Sequence, residues 1–509
     1  AYSEGSNENF GRVDNWAGYV QDDWKITKNL TMNIGLRWEM DTPRRDMRNM
    51  LCGFAFDPIN PVCNCPGVMT FAGVDGASIY ASDFDKNNFG PRFGFAWRAP
   101  WGLVLRAAYG IHYNPLYFGG AQGALNAGYG VGQASFSSPD NGVTPAFYLR
   151  QGMPAIPMGQ ARGAGYGAVP IGEDPYFSPE FVQKNHVSGY MQQWNFAIQK
   201  MLPRNTLLEI SYIGNAAHKL GTESTNLNMI PLVDGHGPAK ANRKLLPWPQ
   251  YDAVNLFQPD WGNSTYNAMN IKVEKRYSQG LNFLVNYTWS KFIDDVVANG
   301  PMGGGGNGDG ATHVELRRLN KSLAADNIPH RFIASGVYEL PFGMGRHWAI
   351  SNPVLRQIVG GWGFGFITEF RSGSPFTVWE RTNKTNTFSS DVRPNLLRDP
   401  TLSGDRPLQD KLNKWFDTSA FQSPAVTYFG NAPRQIPGSP GLIQIDASIH
   451  KAWNLAERRR LLFRGDFYNM PNHPNFAPPN GNHGAGAFGK VSKTVGTGRQ
   501  IQLSLRFEF

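Results

Sequence analysis

Nowhere does the sequence hold a run of roughly 18 apolar residues, so no helix in it can span a membrane. A mean hydropathy of −0.39 still allows a membrane barrel, whose strands alternate apolar and polar residues and average out as hydrophilic. Residues 1–11 carry no initiating Met, no basic n-region and no apolar h-region. No signal peptide is read there, and the expectation is that it has been removed or that the chain starts in mid-protein. Cysteine is scarce: Cys52, Cys63 and Cys65 lie in one Pro/Gly/Asn-rich stretch without a neighbouring His pattern. A zinc site needs a fourth ligand, so no metal is expected. The preferred reading is a loop disulfide from Cys52 to Cys63 or Cys65, formed in an oxidising compartment. Long basic runs are missing too. Although the net charge is +9, no Lys/Arg run exceeds Arg458-Arg459-Arg460, which sets nucleic-acid binding aside.

The groups that catalysis needs are equally thin. No GxSxG elbow surrounds a serine, the neighbourhood of Gly373 reading Arg371-Ser372-Gly373-Ser374-Pro375. The histidines, among them His112, His186, His218, His313, His330, His450 and His473, are scattered without metal spacing. Asp22 and Asp23 are adjacent in a predicted strand and point to opposite faces, so they cannot act as a pair on one substrate. Asp294, Asp295, Asp446 and Asp466 read as hydrogen-bonding groups of an interior or a rim. The run Gly303-Gly304-Gly305-Gly306-Asn307-Gly308-Asp309-Gly310 is followed by no Lys-Ser/Thr, which removes a phosphate cradle. A calcium site on Asn307 and Asp309 is the alternative there, and a mobile loop tip the preferred reading. The expectation is a protein without catalytic residues or cofactor.

What the chain does have is aromatic residues, at 13% with 14 Trp, 33 Phe and 19 Tyr, together with 58 Gly and 36 Pro. Many turns and few long helices follow, hence an all-β fold. Residues 30–40 alternate cleanly: Leu30, Met32, Ile34, Leu36, Trp38 and Met40 share one face, and Thr31, Asn33, Gly35, Arg37 and Glu39 the other. The pattern recurs at 13–27, 89–98, 103–113, 190–201, 206–213, 265–277, 281–290 and 330–340. It returns at 362–379 (one long strand, irregular at 372–375), 442–453, 459–469 and 499–509. That makes about 13 strands of the length a tilted transmembrane strand requires.

Connection lengths alternate between short (28–29, 99–102, 202–205, 278–280, 454–457) and long (41–88, 114–188, 214–264, 291–328, 381–440, 470–498). An intermediate link, 341–361, with a short helix predicted at 353–359, falls on the short side. Such alternation is what membrane barrels show, with turns at one end and loops at the other, and no fixed repeat of a propeller or solenoid is visible. If the last strand ends on the short-turn side, 13–27 runs in the same direction, whereas a barrel with an even strand count would start with the opposite one. The chain is therefore expected to be an incomplete transmembrane antiparallel β-barrel lacking N-terminal strands, and unstable in lipid alone because its open edges leave backbone groups unpaired.

The chain ends in Ile501-Gln502-Leu503-Ser504-Leu505-Arg506-Phe507-Glu508-Phe509. Ile501, Leu503, Leu505, Phe507 and Phe509 form the apolar face, and this resembles the terminal signal read by the barrel-assembly machinery. Other stretches carry a broader resemblance: Tyr19-Val20-Gln21-Asp22-Asp23-Trp24-Lys25, Asn88-Phe89-Gly90-Pro91-Arg92, Arg106-Ala107-Ala108-Tyr109-Gly110 and Gln193-Trp194-Asn195. So do Tyr287-Thr288-Trp289-Ser290-Lys291, Tyr338-Glu339-Leu340-Pro341-Phe342-Gly343, Ser372-Gly373-Ser374-Pro375-Phe376-Thr377 and Asn469-Met470-Pro471-Asn472-His473-Pro474-Asn475-Phe476. Together they span nearly the whole chain, which resembles the Oar-like, OmpA-related branch of TonB-dependent receptors. Complete members carry a carboxypeptidase-regulatory-like domain and a plug before the barrel. The resemblance implies energised transport of a ligand across the bacterial outer membrane, with the TonB complex acting through the plug, which this segment lacks. It further implies contact with outer-membrane lipid, and the scattered basic residues fit anionic lipopolysaccharide. Trp16, Trp24, Trp38, Trp97, Trp101, Trp289, Trp362 and Trp453 near strand ends fit interfacial girdles. A passive porin, a surface adhesin or assembly barrel, and more weakly a barrel hydrolase, share the same strand pattern. Ligand would first meet the long loops, 114–189 above all.

Overall fold

The computed structural model describes residues 10–115, 162–175, 177–296, 313–343, 347–388, 392–456 and 459–509, with a few further positions in 2–3 and 129–150. Its frame is a sequence of long strands: β1 (Asn15–Lys25), β2 (Leu30–Asp41), β3 (Asn88–Ala99), β4 (Leu103–Tyr113), β5 (Tyr190–Leu202), β6 (Thr206–Leu220) and β7 (Gly262–Ser278). It continues with β8 (Leu281–Asp294), β9 (His330–Glu339), β10 (Trp362–Arg371), β11 (Leu442–Ala456), β12 (Arg459–Tyr468) and β13 (Gln500–Glu508). These thirteen pair strictly in chain order into one sheet, every neighbour antiparallel, and the two-residue segment Ser322–Leu323 adds a short pairing to β8. β1 and β13 are its two edges.

The predicted alternation becomes two chemically distinct faces. On β11, Gln444, Asp446, Ser448 and His450 lie on one side and Ile443, Ile445, Ile449 and Trp453 on the other, as period two requires. Pairing carries each face across the sheet. Opposite Leu461, Phe463, Gly465 and Phe467 stand Phe507, Leu505, Leu503 and Ile501, and opposite Arg464 and Asp466 stand Ser504 and Gln502. The polar face is concave: one cavity of about 900 Å³ is lined from all six strands β7 to β12, by Glu274, Asn282, Ser335, Gly365, Asp446 and Arg464 among others.

Several strand limits differ from those predicted. β6 runs on to Leu220, β8 to Asp294, and β7 begins at Gly262, so the long connections there are 221–261 and 295–329. Gly214, which reads as a breaker, stays inside β6 because the Trp194 indole covers it. A Cβ there would stand 2.4 Å from that ring. Residues 362–379 are not one strand. β10 stops at Arg371, since at Gly373 the chain crosses the Ser439 carbonyl so closely that a Cβ would sit 1.8 Å from its oxygen. Trp379–Glu380 instead pairs in parallel with Asn482–His483. The predicted helix is present as α1 (Pro353–Val359), its first turn capped by Asn352, whose Oδ1 accepts from the amides of Val354 and Leu355 at 2.9 and 3.1 Å.

The cysteine pairing expected from sequence is also corrected. Cys52–Asn60 and Cys65–Phe71 form a hairpin in which Cys52 faces Phe71 and Cys65 faces Asn60, so Cys52 and Cys65 lie at opposite ends of the ladder. A disulfide needs Cα atoms within about 7 Å. The bond joins Cys63 to Cys65 across the hairpin tip, at a Cα separation of 5.2 Å. Cys52 is a buried thiol whose Sγ donates to the Glu180 carbonyl at 3.5 Å.

Candidate functional site

Two surfaces carry chemistry: the polar face of the sheet and the layer built by the long connections. Along the polar face, residues two apart on a strand point the same way, and oppositely charged neighbours at that spacing pair. Arg37–Glu39, Lys272–Glu274 and Arg464–Asp466 each stand at 2.9 Å. Across strands, Arg331 pairs with Glu369 at 2.9 Å and Gln199 Nε2 donates to Glu209 at 2.5 Å. Asp446, beside Asp466 in the cavity wall, accepts from Gln444 Nε2 at 2.6 Å and the Asn469 amide at 2.8 Å. Both carboxylates are thus committed to their own partners rather than to each other. Asp23 accepts from Asn33 on the polar face, and Asp22 points the other way, opposite Ile34. Asp294 receives Arg434, and Asp295 receives the Asn263 amide at 2.5 Å. The arrangement lines a wall with compensated polarity.

The long connections fold onto one another instead of standing apart. Buried Cys52, Met69 and Phe71 from the first meet Ala168 and Phe181 from the second and Tyr251, Val254 and Leu256 from the third, with Phe54, Phe177 and Trp248 packed alongside. At the centre, the fully buried Asn60 amide donates to the carbonyls of Gly67 and Ala164, both at 3.1 Å, and to the Tyr251 hydroxyl at 3.2 Å. Burial pushes the Tyr251 phenol up to about 12. A second core joins Phe376, Val378, Phe416, Ala420, Phe421 and Ile436 to Phe488 of the last connection.

Polar contacts tie these bodies together. Arg393 donates to the Leu319 carbonyl at 2.9 Å and to Asn320 Oδ1 at 2.5 Å, and Arg434 Nε donates to the Asn320 carbonyl at 3.1 Å. His313 Nε2 lies 3.1 Å from the Ile230 carbonyl, while its Nδ1 accepts from the Glu315 amide at 3.2 Å. Burial holds the pKa of His313 below the usual imidazole range, and does the same to His186 against the opposing pull of Asp260 and Asp85. Asp417, bonded to Ser419 and to Arg398 at 2.7 Å, lies well below the usual carboxylate range.

Among the described residues no three His, Cys, Asp or Glu side chains gather as metal ligands. His473 shapes its turn, its amide donating to Asn469 Oδ1 at 2.9 Å and its carbonyl accepting from Asn469 Nδ2 at 3.0 Å. A grouping that sequence spacing did not reveal is Glu380, Ser423 and His483, drawn from three distant segments. The Ser423 hydroxyl donates to Glu380 Oε2 at 3.1 Å and lies 3.5 Å from His483 Nδ1, the nitrogen that also meets Glu380 Oε1 at 2.8 Å. Nucleophile activation needs hydroxyl and carboxylate on opposite ring nitrogens, so this cluster ties loops together. The run Gly303-Gly304-Gly305-Gly306 with Asn307 and Asp309 lies outside the described residues, as does most of 116–161.

The family model described as "Outer membrane beta barrel domain" matches residues 1–502. None of the curated proteins matches the sequence significantly. Among solved structures, the outer membrane transporter YddB from Escherichia coli is 10% identical, with a TM-score of 0.45 over 98% of this chain and 55% of its own. The FrpB iron transporter from Neisseria meningitidis is 10% identical with a TM-score of 0.43, over 98% and 46%. For the ferripyoverdine receptor of Pseudomonas aeruginosa the values are 9% and 0.43, over 98% and 39%. The chain thus spans about half the length of the first solved structures it matches.

Proposed function

We propose, from the premise that this chain belongs to the outer membrane beta barrel domain family, that it supplies wall and loops of an Oar-like TonB-dependent transporter in the bacterial outer membrane. In this reading the short turns are periplasmic, the long connections are extracellular, and the apolar face meets lipid. Ligand is captured at the loop layer and passes along the polar face once a plug is displaced, without covalent chemistry. Contact with lipopolysaccharide at the long-loop rim, recognition of Ile501, Leu503, Leu505, Phe507 and Phe509 by the barrel-assembly machinery, and energisation by the TonB complex belong to the same reading.

The observation that carries it is the size and parity of the sheet. Thirteen antiparallel strands leave β1 and β13 running in the same direction, so joining them directly would break the antiparallel order. An edge left open in lipid costs several kcal/mol per unpaired backbone group, so closure calls for an odd number of further strands. The result is wider than the barrels of about 8 strands whose lumen side chains fill, and falls in the range that holds both open porins of about 16–18 strands and plugged barrels of about 22. The motifs resembling Oar-like receptors favour the plugged class over the open porin.

Planar-bilayer recording on the full-length protein tests this. A plugged transporter gives no steady conductance. Stable open channels of fixed size would instead favour the porin.

A further inference from the structure

We propose that α1 is an interfacial membrane anchor that seats the short-turn end of the barrel at the headgroup–acyl boundary of the adjacent lipid leaflet. This rests on the outer-membrane location of the barrel and not on the transport reading, so the two fail separately.

The connection between β9 and β10 is the longest on the short-turn side, and α1 occupies its second half. Three side chains fasten the end of that helix. The Trp362 and Trp453 indoles donate to the carbonyls of Ile358 and Gln357 at 2.8 and 3.0 Å, and Lys451 Nζ donates to Gln357 and, at 3.0 Å, to Ile358. All three belong to the apolar face: Lys451 and Trp453 share the side of β11 that carries Ile445 and Ile449, and Trp362 stands opposite Lys451 on β10. The helix therefore lies against the outside of the barrel wall, on the surface that meets lipid.

Its own side chains continue that surface. Val354, Leu355 and Ile358 are 66%, 52% and 60% exposed among the described residues. An apolar patch on a short turn has no reason to face water, whereas here it adjoins an apolar band that is immersed in lipid. A membrane helix with one apolar side lies in the interface plane, its apolar groups at the acyl boundary.

Lys451 supplies the second argument. An ammonium on a lipid-facing strand is costly unless it is compensated, yet Lys451 is only 2% exposed. Its charge meets the terminal carbonyls of α1, where the helix dipole favours a cation, and lies 5.3 and 5.1 Å from the ring centres of Trp362 and Trp453. The helix thus screens a cation from lipid, and the cation pins the helix to the wall at the depth where indole rings gather.

The test places a single environment-sensitive fluorophore on Leu355→Cys in full-length protein whose Cys52, Cys63 and Cys65 are Ser, reconstituted in phosphatidylcholine vesicles. Expected is blue-shifted emission, quenched by lipid carrying a nitroxide near the glycerol and hardly by aqueous iodide. A label at Ser448→Cys on the polar face should show the reverse preference. Lys451→Leu should return the 355 label toward aqueous emission while Lys451→Arg keeps it shifted. Emission as in water, with iodide quenching as strong as for free dye, overturns the proposal and points to a water-facing partner surface. Should the serine background fail to insert, lipid bearing a photoreactive acyl chain is applied to the unaltered protein. Adducts within 353–359 support the anchor, and their absence beside adducts on β11 and β13 refutes it.

Discussion

Asn60 shows how much of the loop layer hangs on single polar side chains. Its amide bridges two carbonyls and a phenol from three separate connections, so Asn60→Ala removes a buried cross-link, although the Gly67 carbonyl keeps Gln250 and the Tyr251 hydroxyl keeps the Tyr166 carbonyl. A cost of about 1–3 kcal/mol is expected, read as faster proteolysis within 42–87 while the barrel remains heat-resistant on a gel. The buried histidines set a pH dependence. Burial depresses the pKa of His186 and His313, so the unfolded layer takes up protons near pH ~6.5 that the folded layer resists. Stability is therefore intact above that pH and falls as the pH drops below it. Hydrogen-exchange protection around Ile230 and His313, taken relative to the intrinsic rate at each pH, should fall between pH ~6.5 and ~5. His313→Asn, which can keep the cap on Glu315, should flatten that response. Residue by residue, the parity of Asp22 and Asp23 was legible in the sequence because period two alone decides it. The disulfide was not, because its partner depends on a hairpin register that three closely spaced cysteines do not specify.

At the scale of the element, alternation is a physical constraint with an energy attached. Leu503 lies on the apolar face of β13 and Ser504 on the polar one. Leu503→Lys should therefore cost about 2–4 kcal/mol near the bilayer centre, against little for Ser504→Lys. Folding yield into vesicles, followed by heat-modifiability, measures the difference. Strands β2, β4 and β5 were readable almost to the residue because their central residues alternate and turn residues bound them on one side. The ends of β6 and β8 were not, since small and polar residues such as Gly214, Asn215, Lys291 and Asp294 look like loop yet remain paired. The helix α1 was legible from Asn352 and Pro353, a capping residue ahead of a residue suited to the first helical position. Its attachment to the outer wall was not, because Lys451 lies almost a hundred residues away.

Across the whole molecule, the sheet follows from local rules while the loop layer does not. Each strand pairs with the next, so a one-dimensional reading of strands and connections reproduces the wall. The layer is assembled from Cys52, Phe181 and Tyr251, or from Phe376 and Phe488, residues without periodicity whose burial arises only when distant connections meet. Glu380, Ser423 and His483 belong to the same class of encounter. In the proposed reading, cargo meets the interlocked layer and passes along the wall of compensated charge. The most direct measurement of that claim is titration of the purified periplasmic domain of TonB against the full-length protein in detergent. Saturable one-to-one binding is the result expected of a TonB-dependent transporter. Full-length protein that folds, resists heat and shows no binding at any concentration would contradict it.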